Sequence, residues 1–152
     1  MKILQIVGTK KSGKTATMID FITAAKEENL KVVCFKRAHE AVMDTPGTDS
    51  FRFAEAGADA VGLQTANEFL WHEKGSTDLS NLMENVIKSD VDLVLIEGFR
   101  TENYPRLNLV KADEERLEAD FYGTIYPENY PDLMDLSTTE KRKDWFKKWL
   151  TN

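Results

Sequence analysis

Hydrophobic positions fall into short runs and helical stripes that alternate along the chain. Residues 2–7 place Ile3, Leu4, Ile6 and Val7 in one tight run, the pattern of a buried strand. Residues 14–28 repeat Met18, Phe21, Ile22 and Ala25 at helical spacing, and Asn29 breaks the repeat. Residues 31–36 read as a second β-rich strand. The following stretch, 37–48, has no clear period and contains Thr45-Pro46-Gly47; loops of that length in compact domains tend to carry function. Asp49 or Ser50 is placed to cap a short helix to Ala56, which Gly57 ends. Residues 60–65 and 68–72 form a hairpin-like pair around Ala66-Asn67. Leu79, Leu82, Met83, Val86 and Ile87 stripe a helix over 79–88. The most hydrophobic strand runs from Asp92 to Glu97, and a further strand covers Asn108–Lys111. The acidic stretch 113–135 holds Pro127 and Pro131 and reads as loop, except for a strand over 121–126. Ser137-Thr138-Thr139-Glu140 forms a capping box for a last helix with Trp145, Phe146, Trp149 and Leu150 on its apolar face. This order predicts an α/β fold with a mainly parallel sheet flanked by helices.

At 152 residues and 17.3 kDa the chain is long enough for one domain with a proper core, expected to span 1–152. No run approaches the ~18 apolar residues of a membrane-spanning helix. The first residues lead straight into a Gly-rich turn and lack the form of a signal peptide. A lone cysteine, Cys34, excludes an internal disulfide and fits a reducing cytoplasm. Within its strand it is expected to be a small buried hydrophobe. The net charge of −6 is uneven: residues 1–76 are neutral and residues 77–152 carry all of it. An acidic chain of pI about 5.0 argues against nucleic acid or an anionic membrane as partner. Lysines of the neutral half can still gather around a small anionic ligand.

The sharpest chemical signal is Gly8-Thr9-Lys10-Lys11-Ser12-Gly13-Lys14-Thr15, a full G-x-x-x-x-G-K-[ST] phosphate loop. Average residue usage gives such a match by chance in roughly one chain in 200 of this length. It follows a predicted strand and opens a predicted helix, as the chemistry requires. Glycines let the backbone curl so that successive N–H groups face one point, and the helix N-terminus adds partial positive charge there. Gly8, Thr9, Lys10, Lys11, Ser12, Gly13, Lys14, Thr15 and the following Ala16 are therefore candidate nucleotide contacts. Lys14 is assigned to the β/γ-phosphates and the Thr15 hydroxyl to Mg²⁺. Lys10 and Lys11 either touch phosphate or are solvated loop lysines. A second Mg²⁺ ligand is expected at the end of a neighbouring hydrophobic strand, where Glu97 stands. Asp92 begins the same strand, ~16 Å away, too far to serve the same ion.

Three blocks in this order resemble the MobB family, the molybdopterin-guanine dinucleotide biosynthesis adapter proteins. They are the 8–15 loop, the stretch 36–58 with its Pro46-Gly47-Thr48-Asp49-Ser50 and Ala56-Gly57-Ala58 pieces, and Glu97-Gly98-Phe99-Arg100. The resemblance extends over most of residues 2–111. It implies a phosphate-loop NTPase fold, GTP and Mg²⁺ as ligands, and homodimers. It also implies work beside MobA, the guanylyltransferase that joins GMP to molybdopterin, with weak GTPase activity; molybdopterin itself is a further implied ligand. The family tends to show Lys-His-x-His-His after the second strand, where this chain has Lys36-Arg37-Ala38-His39-Glu40. That departure weakens any role needing several imidazoles. Arg100 stands where the family commonly has Lys, keeping the charge but changing its geometry.

Other residues keep two readings. His39 either orients water or phosphate, or is structural. Asp44 and Asp49 are either outer Mg²⁺ ligands or, for Asp49, a helix cap. Arg37, Arg52 and Arg100 are candidates to neutralise phosphate charge, with His39, Asp49 and Arg100 the catalytic set. Trp145 and Trp149 serve packing or a subunit contact, and Asp113-Glu114-Glu115 reads as a solvated helix start. Val110-Lys111-Ala112-Asp113 keeps only the Lys-x-Asp part of the guanine-selective Asn-Lys-x-Asp, so the residues alone do not separate GTP from ATP. A small-molecule kinase or ligase using ATP on the same fold is the competing reading. It would be expected to carry an Arg-rich lid, which this sequence does not show.

Overall fold

In the computed structural model, residues 1–38, 44–75, 78–111, 121–126 and 134–152 are described. The elements are β1 (Lys2–Gly8), α1 (Lys14–Glu27), β2 (Val32–Lys36), α2 (Asp49–Glu55), β3 (Ala60–Gln64) and β4 (Phe69–Glu73), then α3 (Leu79–Ile87), β5 (Leu93–Glu97), β6 (Arg106–Lys111), β7 (Phe121–Tyr126), β8 (Met134–Asp135) and α4 (Thr139–Thr151). They group into two compact units, residues 1–37 with 85–152, and residues 38–84.

The first unit is built on a six-stranded sheet in the order β2-β5-β1-β6-β7-β8. The first four strands are parallel; β7 pairs antiparallel with β6, and β8 antiparallel with β7, which makes the sheet mixed. Alternation along each strand sends one set of side chains to each face. Leu4 and Ile6 of β1, Leu93 and Leu95 of β5, and Leu107 and Leu109 of β6 form one buried layer with Met18, Phe21, Ala24 and Ala25 of α1. Phe21 stacks on Phe146 and Trp145 of α4, with centroids 4.5 and 5.5 Å apart. Trp149 stacks in turn on Trp145 and Phe146, so both tryptophans pack within the chain. A buried ion pair, Arg142 Nε to Asp20 at 2.5 Å, adds a polar tie between the two helices.

In the second unit β3 and β4 form an antiparallel hairpin with Gly62 opposite Trp71. The Thr65 hydroxyl accepts from the Asn67 and Glu68 amides and shapes its turn. Phe69, Leu70 and Trp71 are exposed.

The element order follows the hydrophobic pattern closely, with specific corrections. The cap of α2 is Thr48, whose hydroxyl accepts from the Phe51 amide, rather than Asp49 or Ser50. The cap of α4 is Thr138, accepting from the Lys141 amide, so the expected Ser137–Glu140 box is displaced by one residue. Cys34 is exposed, because β2 lies at the sheet's edge rather than inside it. β6 begins two residues earlier than expected, at Arg106, and β8 lies in a stretch expected to be loop.

Candidate functional site

The parallel register brings three chain segments to one edge of the sheet. Ile6 pairs with Glu97, Gly8 with Leu109, and Lys36 with Glu97. The chain leaves β1 at Gly8 and turns through 9–13 into α1. Gly8 cannot be replaced without collision: a Cβ there would lie 2.6 Å from the Leu109 carbonyl oxygen and 2.5 Å from Ser12 Oγ. Lys11 (φ 64) and Gly13 (φ 80) are both left-handed. Such alternation turns successive amides toward one concavity, the geometry of an anion nest. Gly13 caps α1 without a side-chain hydrogen bond, leaving the first-turn amides to a ligand.

Lys14 Nζ donates to the carbonyls of Thr9 (2.6 Å) and Gly8 (3.2 Å), so its ammonium folds back over the loop. The Thr15 hydroxyl donates to Glu97 Oε2 at 3.4 Å, and Lys36 Nζ lies 3.1 Å from Glu97 Oε1. Lys10 through Ala16 and Glu97 line one cavity of about 420 Å³. Glu97 is 9% exposed, a buried strand-end carboxylate rather than a solvated one. Among the described residues no group of three or more His, Cys, Asp or Glu forms a metal cage. The Thr15 hydroxyl and Glu97 carboxylate are instead a sparse oxygen set. This suits Mg²⁺, which takes one or two protein ligands and completes its shell with phosphate and water.

Beyond Glu97 the chain makes a second tight turn. Gly98 (φ 88) and Phe99 (φ 52) are left-handed, and the Gly98 amide donates to the Ile6 carbonyl. Buried Gln5 donates from Nε2 to the carbonyls of Gly98 (2.8 Å) and Phe99 (2.7 Å), holding that turn. Arg100 Nη2 donates to the Gly8 carbonyl, joining the turn to the phosphate loop.

Of the predicted site residues, the structure therefore brings together Gly8 to Ala16, Glu97 and Arg100. Asp49 belongs to the second unit, where it pairs with Arg52 at 3.7 Å in the first turn of α2. Asp44 also lies there. Hydrogen bonds from Ser50, the Thr45 amide and Thr48 hold its carboxyl below the usual range, which makes it a local loop cap. His39 and the Ala112-Asp113 part of the base-selecting fragment lie outside the described residues. Asp92 accepts from the Lys31 amide at the opposite end of β5. Lys36 and Gln5 are site residues that sequence reasoning missed. A polar residue inside the apolar β1 run was the available signal for Gln5.

Comparison with known proteins gives a consistent result. The family model for molybdopterin guanine dinucleotide synthesis protein B, MobB, matches residues 3–123. A Bacillus subtilis protein named a probable molybdopterin-guanine dinucleotide biosynthesis adapter protein is 32% identical over 120 residues, covering 77% of this chain and 69% of its own. A Haemophilus influenzae adapter protein of the same description is 30% identical over 160 residues, covering 97% of this chain and 89% of its own. The crystal structure of a MobB homolog from Bacillus stearothermophilus superposes with a TM-score of 0.70 at 22% identity, covering 99% of both chains, and so shares the fold.

Proposed function

The chain belongs to the MobB family, and on that premise we propose that it is a GTP-binding adapter in molybdopterin guanine dinucleotide biosynthesis, assisting a MobA-like guanylyltransferase. The observation that carries the nucleotide part is the Lys14 ammonium folded over the 8–15 loop with the Thr15 hydroxyl facing Glu97. Lys14 moves from the loop carbonyls to the β/γ-phosphates, while loop amides and the α1 N-terminus bind the same oxygens. Thr15 and Glu97 would hold Mg²⁺, which supplies positive charge against the phosphates. Lys36 shares the Glu97 carboxylate and moderates its charge. Arg100 contacts the γ-phosphate side. Hydrolysis is slow, and GTP is held more than consumed. The protein works as a homodimer, with molybdopterin a further ligand. Guanine over adenine rests on family membership alone.

Calorimetric titration with GTP and with ATP, each with Mg²⁺, tests this reading. GTP is expected to bind at least tenfold tighter, a gap of ~1.4 kcal/mol. Lys14→Ala should lose binding of both nucleotides. Equal or tighter ATP binding overturns the guanine assignment and brings forward a small-molecule kinase or ligase. A Lys14→Ala protein that binds as well as wild type overturns the loop assignment itself.

A further inference from the structure

Gln5 sits inside the apolar run of β1 with none of its surface exposed. Leu4 and Ile6 face the α1 core, so alternation turns Gln5 to the opposite face of the sheet. There its Nε2 meets two carbonyls at once, those of Gly98 and Phe99, which fixes the orientation of the amide. The other end of the amide is left bare. Oε1 is buried and has no hydrogen-bond partner among the described residues. A buried acceptor without a donor destabilises a fold, and an apolar side chain of the same length would avoid the loss. Stability of the sheet alone therefore does not account for a glutamine here.

What Gln5 holds is a strained turn. Phe99 has φ 52, a left-handed conformation that a bulky side chain adopts only under constraint. Before it, the Gly98 amide donates to the Ile6 carbonyl; after it, the Glu102 amide donates to the Phe99 carbonyl. Together with the Gln5 amide, these contacts pin the backbone on both sides of Phe99. The next residue is Arg100, whose guanidinium donates to the Gly8 carbonyl, the same carbonyl that accepts from Lys14. We infer that Gln5 is a positioning residue for nucleotide binding: it keeps Phe99 left-handed, which aims Arg100 at the phosphate loop. The inference rests on the nucleotide reading above and is indifferent to guanine or adenine. A relaxed Phe99 would redirect the chain at residue 100 and carry the guanidinium away from the loop, while Lys14 and Thr15 keep their places.

The test uses the full chain and calorimetric titration with Mg²⁺–GTP and Mg²⁺–ATP. Gln5→Met keeps the length of the side chain and removes the donor. It is expected to stay folded, judged by thermal unfolding, and to bind the tighter nucleotide at least tenfold more weakly, as Arg100→Ala should. The double variant should match Arg100→Ala to within twofold, because both changes remove one contact. Position 99 gives a signed check. Asn enters the left-handed region more readily than Phe, so adding Phe99→Asn should recover most of the binding lost in Gln5→Met. Val resists that region, so Phe99→Val with Gln5 intact should weaken binding in the same direction as Gln5→Met. A Gln5→Met chain that binds like wild type, losses that add in the double variant, or no recovery with Phe99→Asn each overturn the inference. Should Gln5→Met not fold, Phe99→Val decides, and wild-type binding by that variant overturns it. A wild-type chain that binds neither nucleotide overturns the adapter reading and this inference with it, a pattern distinct from wild-type binding that the variants leave unchanged.

Discussion

At the scale of single residues, the phosphate loop depends on two close approaches to Gly8, one by backbone and one by the Ser12 hydroxyl, that only a bare Cα permits. The Gly8 position faces the Leu109 carbonyl of a neighbouring strand, and β6 cannot retreat without breaking its pairing with β1. Gly8→Ala is therefore expected to destabilise the fold by about 1–3 kcal/mol, the usual cost of overpacking. It should also displace the loop and weaken Mg²⁺-nucleotide binding. A denaturation midpoint and a nucleotide titration on the same variant check both. A midpoint unchanged from wild type would show that the loop has room the geometry denies. Gln5 is the complementary case. Its amide holds two carbonyls of a turn more than 90 residues away in sequence. The glycine was legible because its motif is local; the glutamine was not, because its partners come together only when β1 and β5 pair.

At the scale of elements, α4 is fastened to α1 by aromatic stacking and by charge. Glu27 near the end of α1 accepts from Lys143 at 2.6 Å and Lys147 at 3.0 Å. These hydrogen bonds, Lys143's first, hold its carboxyl below the ordinary glutamate value. Just before α4, hydrogen bonds from Lys141 and Ser137 bring Asp135 down to about 2. Both groups have folded pKa values below their unfolded ones, so they stabilise the fold above the ordinary carboxylate range. That contribution fades as pH falls through the lowered values. Urea midpoints should decline from pH 5 towards pH 2, and Glu27→Gln should make the decline shallower; an unchanged slope would remove Glu27 from the account. The elements themselves were largely readable, since each carries its own period. The mainly parallel direction of the strands was readable from the order of strands and helices, not from alternation, which is the same in parallel and antiparallel strands. β8 escaped because two residues carry no period. Both helix caps slipped by a position because neighbouring Ser, Thr and Asp side chains all suit the role, and only the chain's entry angle selects one.

At the scale of the whole molecule, the acidic balance and the basic loop coexist because they occupy different parts of the chain. Three lysines and a helix N-terminus gather in the 8–16 region of the neutral half, so a net charge of −6 does not prevent local capture of phosphate. A ligand that binds only the folded chain stabilises all of it. At one hundred times its Kd, Mg²⁺–GTP should add ~2.7 kcal/mol. For a chain of this length that corresponds to a rise in Tm of about 5–10 °C. Thermal unfolding with and without ligand reads it directly, and Lys14→Ala should show no rise. A wild-type protein whose Tm ignores nucleotide would refute the proposed binding. The order of strands in the sheet was the molecular-scale feature least visible beforehand. It places β2 at the edge and so decides the environment of every side chain on that strand.

Cys34, exposed on that edge strand, therefore gives the chain a single chemical handle. Partial desolvation pushes its thiol pKa up, so little thiolate exists at neutral pH. Maleimide should attach one fluorophore per folded chain, more slowly at pH 7 than to a free model thiol and faster as pH rises past 9. A labelled chain would report nucleotide arrival by anisotropy or energy transfer. The same accessibility means that, without reductant, air oxidation can couple two chains through sulfur. A covalent dimer formed that way would imitate a subunit interface, so the molecular weight in solution must be measured on reduced protein or on Cys34→Ser.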